Sequence, residues 1–216
     1  MALVFMLVAA PPAASAASCG DAVLGQRVAC ACGDVVVADT VLRATDPVVT
    51  ARCAGDGLVL RAAAGARAIR LDLAGESITG FGGGVGLRVL DGGMGGAVID
   101  GGDGGAVIGF RNGLRATRPG SVAEVRDLAI RGSSSDGLVV RGNGTRLLRV
   151  RADDSGRDGL RVGGSSVQLD DVAAERNGRY GLRTTGNATG NARVGENASG
   201  VRLGGTATAV TLEPAQ

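Results

Sequence analysis

Arginine recurs at fixed offsets from a repeated glycine, and guanidinium groups in a row are the first hint of chemistry in this chain. Two residues after the glycine of successive Gly-Leu-type tetrads stand Arg88, Arg115, Arg161, Arg183 and Arg202; two residues before such glycines stand Arg111, Arg157 and Arg179. A guanidinium offers a planar fork of donors that fits a carboxylate or a sulfate. If equal offsets mean equal places in a repeating structure, the first set forms an outward row. Its repeat, about 4.8 Å between hydrogen-bonded strands, is of the order of one sugar residue. Arg88, Arg115, Arg157, Arg161, Arg179, Arg183 and Arg202, with Tyr180 as a stacking ring beside them, are the expected ligand-binding residues for an acidic polysaccharide or envelope glycan. The competing reading makes the same arginines solvated outer positions.

Carboxylates supply the second set of candidates. Asp153-Asp154 and Asp170-Asp171 are adjacent in sequence, with Asp136, Asp158 and Glu175 nearby. Alternation sends sequence neighbours to opposite faces, so these pairs are not pairs in space. Counted back from the following glycine, however, Asp153 and Glu175 share one position and should be rung neighbours roughly 5 Å apart, a spacing that suits a retaining glycosidase pair or a Ca2+ clamp. Asp153 and Glu175 are therefore the catalytic candidates among the acids. Salt bridges to the arginine rows are the alternative use of these acids. The nonapeptide duplication over residues 92–109 mimics a calcium-binding repeat, but Ala97 and Ala106 stand where the ligand Asp should be. It reads as glycine-padded chain, and no metal site is expected.

Composition narrows the chemistry further. The chain has no His, and all 23 basic residues are Arg. His-based triads, most zinc sites, Schiff bases and the P-loop lysine are excluded. Net charge is +2, but the stretch Arg111–Arg183 carries fourteen arginines against nine acids. That is a mild basic bias, without the interleaved aromatics expected of a nucleic-acid binder.

The elements that position these residues follow from an internal repeat. Gly-Leu-x-apolar tetrads begin at Gly57, Gly86, Gly113, Gly137, Gly159 and Gly181, with a Val variant at Gly200, and their spacings fall from 29 to 19 residues. Between them lie second alternating runs such as Leu148-Arg149-Val150-Arg151-Ala152. Period-2 alternation excludes helical repeats, and so short a unit cannot form a propeller blade of about 40 residues. A parallel β-solenoid of about seven coils remains, with Leu58, Leu87, Leu114, Leu138, Leu160, Leu182 and Val201 as one inward ladder. Stacked aliphatic side chains explain how 2% aromatic residues can fill the core. The 39 glycines are expected at corners, through positive φ or close backbone approach.

Residues 1–17 have the apolar core and Ala-x-Ala end of a secretory signal, although no positive charge precedes them. Cys19, Cys30, Cys32 and Cys53 then read as two disulfides. Three pairings are available; Cys19 with Cys30 and Cys32 with Cys53 is favoured, because adjacent closure leaves the rest of the chain free to repeat. A lipid-modified Cys19 is the alternative. Asn143, Asn187 and Asn197 open glycosylation sequons and are read as turn residues.

Leu71-Asp72-Leu73-Ala74-Gly75-Glu76-Ser77-Ile78-Thr79-Gly80 resembles the first-coil motif L-D-L-x-G-x-x-I-x-G of bacterial right-handed parallel β-helix repeat proteins of the pectate-lyase-like type. The stretch from Cys32 to Leu58 is similar to the segment that precedes it there. The likeness spans about residues 30–205, and Glu76 departs from the His often found after that glycine. It implies an all-β, single-stranded right-handed parallel β-helix, in a family that includes polysaccharide lyases, hydrolases and epimerases. In such lyases a basic residue abstracts the proton while Ca2+ neutralises the uronate; Arg161 or Arg183 would be that base, and Ca2+ is a cofactor only under this alternative. The expected organisation is a disulfide-stapled cap over 18–56, the solenoid over 57–207 and a tail over 208–216. The leading expectation is a monomeric protein, secreted, periplasmic or at the cell surface, that binds acidic glycan without a firm catalytic motif, with no membrane span and no nucleic-acid partner; an enzyme on uronate-containing glycans and a ligand-free structural solenoid are the rivals.

Overall fold

The computed structural model describes residues 18–20, 22–23, 26–62, 65–204 and 208–213; the expected signal segment lies outside them. The described chain is almost wholly β, with one short helix, Pro47–Thr50. Its first sheet stacks nine strands: Ser18–Cys19, Val35–Val36, Leu58–Arg61, Val85–Asp91, Asn112–Ala116, Leu138–Arg141, Leu160–Gly163, Leu182–Thr185 and Val201–Gly204. Every neighbouring pair in it is parallel. Parallel neighbours separated by crossovers of some twenty residues, repeated without interruption, make a parallel β-helix-like solenoid.

Two further stacks complete each turn. One runs through Thr40–Val41, Arg70–Asp72, Ala97–Asp100, Val122–Arg126 and Arg146–Leu148; the other runs through Arg52–Cys53, Ser77–Gly80, Ala106–Ile108, Ala129–Arg131 and Arg151–Asp153. They merge at the long strand Val167–Glu175, which continues one stack where Gln168 faces Arg146 and the other where Ala173 faces Arg151. Between them the chain bends at single left-handed residues, Asp127, Arg149 and Asp171, with φ of 53°, 50° and 50°. A run that reads as one continuous alternation is thus folded around a corner.

The inward ladder pairs as the tetrads imply: Leu58, Leu87, Leu114, Leu138, Leu160, Leu182 and Val201 are successive register partners. The six leucines are fully buried, and each such burial contributes roughly 2 kcal/mol. Leu203 occupies an inward position in the last strand and remains 44% exposed, since among the described residues no strand stacks beyond it. The disulfides join Cys19 to Cys30 and Cys32 to Cys53. Cap and tail are less separate than their sequence suggests. Val35–Val36, Thr40–Val41 and Arg52–Cys53 already pair with solenoid strands, and Thr208–Glu213 adds a parallel strand to Ala188–Gly195. Two-residue strands carry too little alternation to be recognised alone; the ladder beneath them sets their conformation.

The tetrad glycines are required by contact more than by backbone angle. A Cβ on Gly86 would lie 2.2 Å from Val107 Cγ1, and one on Gly159 would lie 2.5 Å from Asn177 Nδ2. Of the seven, Gly200 alone has positive φ. At Gly57 through Gly181, side chains from the following corner, such as Ile78, Val107, Ile130 and Asn177, together with backbone carbonyls, fill the space a Cβ would need.

Candidate functional site

The outward row exists in register. Arg88 neighbours Arg115, Arg115 neighbours Val139, Val139 neighbours Arg161, and Arg161, Arg183 and Arg202 follow in order. Val139 interrupts it, because the fourth tetrad reads Gly-Leu-Val-Val. The second set lies on the turn leading into this sheet, where Arg157 and Arg179 are bonded backbone to backbone one rung apart and Arg111 lies two rungs before Arg157, with Ser135 between.

Most row arginines are held by an acid of their own. Asp56, just before Gly57, accepts from Arg88 Nε and Nη2 of the next turn at 2.6 and 2.9 Å. Asp136 stands 3.8 Å from Arg161 and 3.9 Å from Arg157. Asp158, fully buried, accepts from Arg179 at 2.7 and 3.0 Å and stands 3.6 Å from Arg183. Tyr180 takes the same place one turn later, with Arg202 5.9 Å and Arg179 5.2 Å from its ring centre. One rule covers these contacts: the residue before a tetrad glycine reaches the arginine two after the next glycine. The bond from Arg88 holds the Asp56 carboxyl below the usual carboxylate range, against the upward push of burial.

Arg115 escapes the rule because Val85 precedes Gly86 where an acid would be needed. Among the described residues it makes no ion pair, and neither does Arg141. These two and Arg161 surround a cleft of about 300 Å³ where Val139 stands in place of a longer arginine, with Thr117, Asp136, Gly163 and Thr185 also in its lining. A Cβ on Gly163 would contact Thr185 Oγ1 at 2.6 Å, so the glycine keeps this side of the cleft low.

Comparison with known proteins adds no name to this geometry. No family model matches the chain, and no curated protein and no solved structure does either.

The catalytic candidates divide between two places. Arg161 and Arg183 belong to the first sheet, whereas Asp153 and Glu175 end strands of the adjoining stack. Asp153 and Glu175 are rung neighbours: the Glu175 amide donates to Asp153 at 3.1 Å. Arg151 donates to both carboxylates, and Arg176 donates to Glu175 at 3.1 Å and stands 3.8 Å from Asp153. Among the described residues, no hydrogen bond or ion pair links this cluster to Arg161 or Arg183. No group of three or more acids or cysteines there is placed to hold a metal ion. Asn143 and Asn197 accept backbone hydrogen bonds across turns, from Ser165 at 3.2 Å and Asn177 at 2.9 Å.

Arg141, Thr117, Thr185 and Gly163 are absent from the candidates that sequence offers. They share the position four after the tetrad glycine, and their types differ too much to register as a repeat. The visible signal was the interruption itself, a valine in an arginine column.

Proposed function

We propose that this chain is an exported, right-handed parallel β-helix of the pectate-lyase-like type that binds an acidic polysaccharide through the arginine-bearing face of its first sheet. The observation that carries the reading is the in-register outward column Arg88, Arg115, Arg161, Arg183 and Arg202, interrupted once at Val139. Its repeat, about 4.8 Å, suits the spacing of anionic groups along a glycan, and guanidinium forks match carboxylate and sulfate. Two disulfides fit an oxidising compartment, and no helix among the described residues is long and apolar enough to cross a membrane.

The ligand-free structural solenoid is the second reading, and the acid partners of Arg88, Arg161 and Arg183 favour it. A lyase or hydrolase using Arg161, Arg183, Asp153 and Glu175 is the third; it has the family resemblance behind it, and it would need those residues to act across two faces.

Glycan-array binding at low and high salt, with an Arg115/Arg161/Arg183 to Ala variant alongside, separates the readings. Salt-sensitive binding to uronic or sulfated glycans, lost in the variant, supports the glycan reading. Absence of binding leaves the solenoid structural. Metal-dependent formation of unsaturated uronate, followed by ultraviolet absorbance, would replace both with the lyase.

A further inference from the structure

The arginine column is not uniform, and its one gap is where unneutralised charge collects. Arg88, Arg161 and Arg183 each have a carboxylate from the preceding turn within 2.6 to 3.8 Å, and Arg202 faces the Tyr180 ring. Arg115 lacks such a partner, and so does Arg141, which stands outside the column. Both border the cleft over Val139, opposite Arg161. Three guanidinium groups line the cleft with a single carboxylate, Asp136, which stands 3.8 Å from Arg161 and 3.9 Å from Arg157. Around it lie the hydroxyls of Thr117 and Thr185, and Val139, itself only 8% exposed, gives the cleft an apolar surface.

We infer that this cleft, rather than the column as a whole, is the binding site, and that it takes one sugar unit carrying a single anionic substituent, a carboxylate or a sulfate ester. Resting on the glycan reading above, the inference adds where the anion sits and how much of the glycan is read. At about 300 Å³ the cleft is at the small end of ligand sites. It holds one ring, not a chain lying along five rungs. Charge-assisted bonds from Arg115, Arg141 and Arg161 hold the anion. The threonine hydroxyls and Asp136 are placed for ring hydroxyls, Asp136 as an acceptor, and the Val139 methyls offer an apolar contact to a ring face.

Two substitutions separate the cleft from the column. Val139→Arg fills the gap and makes the column continuous from Arg88 to Arg202; Arg141→Ala removes a cleft residue that is not in the column at all. The probes are octagalacturonate and a chondroitin sulfate octasaccharide, titrated calorimetrically into the full chain at low salt. Arg193→Ala, which removes one positive charge from the remote ion pair with Asp171, controls for net charge, and circular dichroism checks folding. The cleft predicts that wild type binds at least one probe and that both Val139→Arg and Arg141→Ala weaken it by about tenfold or more. Tighter or equal binding by Val139→Arg, with Arg141→Ala unchanged, overturns the cleft and leaves the column as the site. No binding of either probe by wild type overturns both.

Discussion

Asp158 and Arg183 are 3.6 Å apart across one rung, with the carboxylate fully buried and also bonded to Arg179 at 2.7 and 3.0 Å. A carboxylate in that setting holds two guanidinium groups and ties successive turns together. Removing it leaves two cations facing one another over a site that water enters poorly. Asp158→Ala should therefore cost about 2–3 kcal/mol in urea unfolding. A loss under about 0.5 kcal/mol, the size expected of a surface pair, would show that the contact does not bind the turns together.

Acid should unfold the chain through three carboxylates. Asp56 is lowered by its bond to Arg88. Burial pushes Asp46 and Asp100 upward, but Arg27 and Arg126 with nearby backbone amides outweigh it, so both also end below the usual range. Depressed folded-state values favour the native form wherever the unfolded carboxyl, near pH ~4, is ionised, and that advantage disappears as pH falls through the folded values. The urea midpoint should be flat above about pH 5 and fall below about pH 4. With no His in the chain, a step between pH 6 and 7 would contradict this account.

The buried corner leading into the first sheet offers a stabilising change. Asn177 donates to Ala152 O at 3.0 Å and to Asn197 Oδ1 at 2.8 Å, while its own Oδ1 accepts from the Ser155 amide at 2.9 Å. Ser155 holds the same place one turn earlier, and its hydroxyl is buried without a partner. Ser155→Asn should extend the amide column and raise stability by about 1 kcal/mol. Thermal unfolding of the variant beside wild type checks it, and a lowered midpoint would mean that the corner cannot accept the larger side chain.

Gly159→Ala tests the reverse. Its Cβ would fall 2.5 Å from Asn177 Nδ2 and 2.9 Å from Ala152 O, and overpacking of this kind costs about 1–3 kcal/mol. Gly144→Ala is the informative contrast: nothing lies within 4 Å, but φ is +77°. Its cost should come from backbone strain alone, about 1 kcal/mol, and equal losses in the two variants would remove packing as the reason for the tetrad glycine.

Much of the architecture was legible because a stacked fold repeats its inward positions. Leu58, Leu87, Leu114, Leu138, Leu160 and Leu182 can be aligned by eye, and each is the register partner of the next. Nine strands in the first sheet exceed the seven tetrads, since Ser18–Cys19 and Val35–Val36 have no tetrad to announce them. The corners were harder. Asp127, Arg149 and Asp171 adopt left-handed angles that their residue types do not announce, so Leu148–Ala152 reads as one straight run although the chain turns at Arg149. Ion pairs such as Asp56 with Arg88 join residues 32 apart, at separations that vary from turn to turn and leave no fixed spacing to read. The cleft had one sign in the sequence, Val139 in the arginine column, while the residues around it, Thr117, Arg141, Gly163 and Thr185, differ too much in type to mark it.

The bends at Asp127, Arg149 and Asp171 form one column, and those at Asp154, Arg176 and Glu196 form another. Along each, charge alternates: Arg149 binds Asp127 at 2.5 and 2.8 Å, and Arg176 binds Asp154 at 2.8 and 3.2 Å. Repeating either the turn 137–158 or the turn 159–180 would bring acid onto acid at one corner and arginine onto arginine at the other, and deleting either would bring acid onto acid at one corner. Repeating both turns together preserves the alternation. A version engineered with one of these two turns repeated should therefore carry an electrostatic penalty that a version with both repeated lacks.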